Sequence, residues 1–116
     1  MAYQDFKELI VWQKAMDLVT SVYSLVKLLP KEEQYCLSAQ MRRAAVSVPS
    51  NIAEGKGRIT DAEIIHFYRI AQGSNMELET QLILCSRLTY LTEEQIAPAL
   101  RLCDEIGRML TKLITA

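Results

Sequence analysis

The segment from Glu8 to Leu29 constrains the fold more than any other part of the chain. Its apolar residues recur in steps of three and four along two adjacent stripes. One stripe is Leu9, Trp12, Met16, Val19, Tyr23 and Val26; the other is Val11, Ala15, Leu18, Val22, Leu25 and Leu29. Gln13, Lys14, Asp17, Thr20, Ser21, Ser24 and Lys27 fill the opposite face. This period is helical and not the alternation of a strand. A helix facing a bundle core needs about three apolar positions in seven, and two full stripes exceed that. Either neighbours in the same chain wrap the wide face, or one stripe packs inside and the other meets a second subunit. The second arrangement is expected, because a patch of several hundred Å2 is unusual on a monomer. The chain should therefore be an oligomer.

The remaining segments also have a helical period. Pro30 stops the first helix and suits the first turn of a second, where its missing N–H leaves nothing unpaired. Glu32 and Glu33 then favour the helix dipole. The second helix is expected to reach about Glu54, with small core positions at Ala39, Ala44, Ala45 and Ala53 and a kink at Pro49. Gly55-Lys56-Gly57-Arg58 reads as a turn. Thr60-Asp61-Ala62-Glu63 is a capping-box pattern opening a third helix to about Tyr90, and Thr92-Glu93-Glu94-Gln95 opens a fourth. Pro98 should distort the first turn of that fourth helix or delay its start. Short connections make successive helices antiparallel neighbours. The expected fold is all-α, one up-down-up-down four-helix bundle over residues 1–116. Folding about Gly57 brings Ala44 and Ala45 to Gly73 and Ser74. Close contact there would explain a glycine that costs about 1 kcal/mol against alanine inside a helix, and Gly73→Leu should then overpack.

Composition narrows the functional classes. The 116 residues have a formal net charge of −1 and are 50% hydrophobic, enough for one core. No apolar run is long enough to span a bilayer. The start, Met1-Ala2-Tyr3-Gln4-Asp5, lacks a secretory pattern. A cytoplasmic protein is expected. Cys36, Cys85 and Cys103 are odd in number and widely spaced, and should be buried inert thiols.

Few residues suggest chemistry. Glu63 and His66 share the spacing of metal-binding pairs in di-metal bundles. This chain has one histidine, so only a symmetric dimer would supply a second pair. A helix-capping glutamate followed by a surface histidine accounts for the same residues. Gly55-Lys56-Gly57 follows a helix and lacks the Lys-Ser/Thr ending of a phosphate loop. No metal, no cofactor and no enzymatic activity are expected. The basic residues are more suggestive. Arg42, Arg43, Lys56 and Arg58, with Arg69 on the facing helix, form a candidate nucleic-acid surface. Alternatively Arg42 or Arg43 pairs with Glu77 or Glu79, leaving the turn residues free. Ser47, Asn51, Glu54, Ser74, Asn75 and Glu77 fall at mid-bundle, where a polar network would fix the register.

Three stretches together resemble a known family. They are Phe6-Lys7-Glu8-Leu9-Ile10-Val11-Trp12-Gln13-Lys14-Ala15, the segment from Gln40 through Ser47-Val48-Pro49-Ser50-Asn51-Ile52-Ala53-Glu54-Gly55, and Ala71-Gln72-Gly73-Ser74-Asn75-Met76-Glu77-Leu78-Glu79-Thr80. The chain is similar along nearly its whole length to bacterial four-helix-bundle proteins encoded in intervening sequences of large-subunit ribosomal RNA genes, once labelled ribosomal proteins. The resemblance implies a bundle assembled into a ring, typically a homopentamer. Its relatives include the accessory protein of diversity-generating retroelements, a basic pentamer that engages a reverse transcriptase and nucleic acid. This sequence departs from that relative in its near-neutral charge. The expected function is a non-enzymatic oligomeric scaffold that associates with RNA or a ribonucleoprotein partner. The alternative is a protein-only adaptor whose ring docks a partner polypeptide.

Overall fold

The computed structural model describes residues 5–116; Met1–Gln4, on which the reading of the start rests, lie outside them. The described residues form four long helices and two short 3-10 turns, and none forms a strand. The helices are α1 (Ile10–Val26), α2 (Leu37–Lys56), α3 (Asp61–Arg87) and α4 (Glu93–Thr115). Each packs on its two neighbours, and α1 closes against α4, in a bundle 50 Å long and 23 by 20 Å across.

The inner stripe of α1 makes its share of the core. Val11, Ala15, Leu18, Val22 and Leu25 are buried, together with Leu29 just beyond the helix. They meet Met41, Val48 and Ile52 of α2, Leu78 and Leu82 of α3, and Ile106 and Leu110 of α4 in one cluster. Burying each large side chain contributes about 1.5–3 kcal/mol. Of the second stripe only Val26 joins the buried set. Trp12 and Val19 are half-buried, and Met16 and Tyr23 are exposed.

Element ends depart from the sequence reading where side chains intervene. A 3-10 turn at Phe6–Glu8 precedes α1, held by the Asp5 carboxylate accepting from the Lys7 N–H at 2.9 Å. Phe6 packs edge-on to Trp12 at 5.4 Å between ring centroids. Pro30 does not open α2. Its ψ of 150° is extended, a 3-10 turn follows at Lys31–Glu33, and α2 starts only at Leu37. Glu33 holds this connector down: its carboxylate accepts from the Leu37 N–H at 3.3 Å and from the Tyr90 hydroxyl at 2.9 Å. Both prolines expected to disturb helices lie inside continuous ones, Pro49 in α2 and Pro98 in α4. Helix α4 starts at Glu93, where the Thr92–Gln95 capping box puts it. Helix α3 ends at Arg87 because Thr89 adopts φ 61° and the Tyr90 N–H turns back to the Cys85 carbonyl at 2.9 Å. That closure normally uses glycine.

The α2–α3 register differs from the one expected. Ser47 lies against Ser74 at 2.7 Å, and the Cys85 thiol meets the Met41 sulfur at 3.6 Å. The chain reverses between Gly57 and the Thr60 cap, not at Gly57 itself, so facing residues shift by about one turn. Gly73 is exposed, and a Cβ built there meets nothing within 4 Å. The tight contact is at Gly55 instead. A Cβ there would lie 2.9 Å from Tyr68 Cε1 and 3.1 Å from Phe67 Cβ. Gly73→Leu therefore has room and does not overpack, contrary to expectation, and the two glycines should behave oppositely. Gly73→Ala should stabilise by up to about 1 kcal/mol through helix propensity. Gly55→Ala should destabilise by about 1–3 kcal/mol through overpacking. Urea denaturation of both variants checks this; equal midpoints would show that the two sites are packed alike.

Candidate partner surfaces

Helix α2 separates the expected basic cluster into two ends. Arg42 and Arg43 lie in its first half and Lys56 at its last residue, a separation of roughly 20 Å along the axis. Arg58 is engaged. Its guanidinium pairs with Glu54 at 3.0 Å and lies over the Phe67 ring at 4.7 Å. Lys56 is half-buried and not free of partners. Arg69 is exposed on α3. Among the described residues, neither Arg42 nor Arg43 pairs with Glu77 or Glu79. Arg42 donates to the Gln34 carbonyl at 3.3 Å, which orients the guanidinium without neutralising it, and Arg43 is exposed. The ion pair is instead at the turn, the reverse of the alternative in which Arg42 or Arg43 is paired and the turn residues are free.

Sequence reading missed the basic residues that Arg42 does approach. Lys27 and Lys31 sit on the α1–α2 connector and line a cleft with Arg42, Gln34 and Ser38. The signal for it was present but split. Ser38 and Arg42 are one helical turn apart on α2, while the two lysines flank Pro30, Lys27 on the polar face expected of the first helix and Lys31 in the first turn expected of the second.

Apolar side chains continue along the same α1–α2 face. Trp12, Met16 and Val19 of α1 and Val46, Pro49 and Ala53 of α2 line a shallow trough. Continuous with it through Val46, a second hollow is lined by Tyr23, Ala39, Val46 and the two arginines. Met16, Tyr23 and Val46 are each more than 40% exposed. The outer stripe of α1 is thus one wall of a larger apolar strip, and α2 supplies the other.

The mid-bundle polar residues divide between two seams. Ser47, Asn51 and Ser74 join on the α2–α3 seam, the Asn51 amide donating to Ser47 Oγ at 2.9 Å and to the Ser47 carbonyl at 2.8 Å. Glu54 and Glu77 are not part of this group. Glu54 pairs with Arg58, and Glu77 accepts from the Gln81 amide at 3.2 Å. Asn75 turns to α4 and donates to the Cys103 carbonyl at 2.9 Å.

The residues weighed for chemistry are dispersed. His66 is exposed and packs edge-on to Phe67 at 5.3 Å. Glu63 belongs to the cap of α3. Its N–H donates to the Thr60 hydroxyl oxygen at 3.2 Å, and hydrogen bonds from Thr60 hold its carboxyl below the usual carboxylate range. Among the described residues, no group of three or more His, Cys, Asp or Glu is placed to share a metal ion. Cys85 and Cys103 are buried, but Cys36 is exposed at the start of α2, contrary to expectation, because α2 begins after it. Burial pushes the Cys85 thiol up to about 11 and the Cys103 thiol up to about 12.

A four-helix bundle whose conspicuous surfaces are an apolar strip and a basic end is the class of protein that these features define. Residues 7–112 match the family of 23S rRNA-intervening sequence proteins, and the chain belongs to that family. It is also similar to a crystal structure from Bacteroides thetaiotaomicron, a protein of unknown function from the S23 ribosomal protein family. The two are 27% identical with a TM-score of 0.85, over 92% of this chain and 100% of that one. No curated protein matches the chain. Among the described residues, no helix is long and apolar enough to cross a membrane.

The cysteines provide a direct check of this geometry. At neutral pH, iodoacetamide should add one label to the native protein, at Cys36, and three after denaturation. Raised thiol pKa values mean that the neutral thiols stabilise the fold below the ordinary thiol range. That contribution should fall as pH rises from about 9 toward about 11 and 12. Rapid native labelling at Cys103 in mass spectrometry would contradict the packing of α4.

Proposed function

We propose that this protein is a non-enzymatic helical scaffold that acts as a cytoplasmic homo-oligomer, a ring of the pentameric kind. The observation behind this reading is the α1–α2 strip. Trp12, Met16, Val19, Tyr23 and Val46 lie side by side on one face, where a second copy would remove them from water. Burial at about 25 cal/mol per Å2 would drive the association.

The scaffold associates with RNA or a ribonucleoprotein through the end of the bundle where Arg42 and Arg43 lie. The family description, which ties these proteins to 23S rRNA genes, and the un-neutralised charge of those arginines support this. One subunit offers few such cations. A ring repeats them, so linked weak sites gain by effective concentration. Binding should then be indifferent to sequence and steeply salt-dependent. The Arg58–Glu54 pair and the −1 net charge favour the second reading, an adaptor that docks a partner polypeptide and binds no nucleic acid.

Two measurements separate these readings. Light scattering should give a mass several times the 13.2 kDa of one chain. Met16→Glu/Val46→Glu should shift it to the monomer while preserving helical content; a single 13.2 kDa species for the parent would end the scaffold reading. Titration of labelled RNA at low salt should show binding that Arg42→Glu/Arg43→Glu abolishes. Lys56→Glu/Arg58→Glu should leave it largely intact, because Arg58 is already paired. No binding by the parent at low salt leaves the adaptor.

A further inference from the structure

We infer that the cleft between the α1–α2 connector and the first turns of α2 is a seat for a single phosphate group, held by Lys27, Lys31, Arg42 and the Ser38 hydroxyl. This goes beyond the RNA reading, since a phosphate seat needs no RNA. Three cations line the cleft, and no carboxylate does. Of the two acidic residues in the connector, Glu33 directs its carboxylate to the Leu37 N–H and the Tyr90 hydroxyl, and Glu32 is exposed and does not line the cleft. Arg42 is fixed in place by the Gln34 carbonyl at 3.3 Å.

Ser38 provides the independent sign of a ligand. It is only 3% exposed and lines the cleft, yet among the described residues its side chain has no hydrogen-bond partner. Its Oγ is not among the side-chain atoms sealed from solvent without a partner, so the hydroxyl opens into the cleft and is available to a ligand there. A phosphate oxygen would accept from it. Ser38 also belongs to the first turn of a 20-residue helix whose cap residue, Cys36, makes no side-chain capping bond. The Glu33 carboxylate already takes the Leu37 N–H at this end, which leaves the first-turn N–H groups of Ser38 and Ala39 for a further anion. The cleft encloses about 250 Å3, smaller than the roughly 300–1,000 Å3 of ordinary small-molecule pockets. That size suits one phosphate group better than a whole nucleotide buried with its base.

The test is a TROSY NMR titration of the full chain with inorganic phosphate, with chloride at matched ionic strength as control. The amides of Ser38 and Ala39 should shift saturably with phosphate and not with chloride. Lys27→Gln/Lys31→Gln, both on exposed residues, should weaken that binding by about tenfold. Ser38→Ala should also weaken it while leaving Tm nearly unchanged, because among the described residues the hydroxyl makes no bond within the chain. Equal shifts with chloride, or unchanged affinity in the lysine variant, would overturn the assignment. Ribo-oligonucleotides with a 5′-phosphate and with a 5′-hydroxyl then identify the source. Tighter binding of the first at these amides marks a terminal phosphate, and equal binding marks a backbone phosphate. Shifts with free phosphate alone keep the seat and remove the RNA reading, so the two proposals fail separately.

Discussion

The antiparallel register of α2 on α3 is the constraint on which the rest of the bundle depends. It is set where Gly55 packs against Tyr68 and Phe67 with no room for a side chain. A side chain at position 55 would push the helices apart at the turn, and every facing pair beyond it would loosen. With that contact in place, Ser47 reaches Ser74 and Met41 reaches Cys85. Ala44, Ala45 and Ala71 are buried, so small residues continue the close approach along the seam. The α1–α2 strip is a consequence of this pairing. Once α2 gives its inner positions to α3 and the core, Val46, Pro49 and Ala53 are left beside the outer stripe of α1.

Helical periodicity made the fold legible, because 3.6-residue spacing is a local property of the chain. The inner and outer stripes of α1 and the Thr92 cap could be read without tertiary information. Register and element ends were not legible in the same way. The sequence reading took a glycine for the pivot, yet Gly57 has φ −84° and uses none of its conformational freedom. The residue that does adopt a left-handed conformation is Thr89, which no propensity rule selects. The start of α2 was missed because a distant tyrosine decides it. Tyr90 secures Glu33, and Glu33 secures the connector.

The same contrast applies to the surfaces. Arg42, Arg43, Lys56 and Arg58 cluster in sequence, but a continuous helix carries them to opposite ends. Proximity in sequence is proximity in space only within a turn or two. Lys27 and Arg42 are far apart in sequence, and the connector folds them into one cleft. Arg58 and Glu54, by contrast, are four residues apart, a spacing that brings side chains together on any helix. That pair was available to sequence reasoning and argued against a free cation at the turn.

The α3–α4 seam shows how polar groups specify what apolar packing leaves open. Leucine and isoleucine tolerate small shifts along a helix, since contact area changes little. Amides do not. Gln72 donates to the Gly107 carbonyl at 3.1 Å and to Thr111 Oγ1 at 3.0 Å, and Asn75 donates to the Cys103 carbonyl. These bonds run along α3 and α4 in opposite directions, as an antiparallel pair requires. The amide orientations follow from the partner, because backbone within a helix offers carbonyl oxygens and not free N–H groups. The NH2 groups must face α4, so Gln72 Oε1 and Asn75 Oδ1 are buried without a partner among the described residues. An unmade buried bond costs about 1–3 kcal/mol, more than a typical hydrogen bond returns. Asn75 and Gln72 therefore add little net stability. What they add is discrimination, because sliding α4 by one residue would leave the donors unpaired as well.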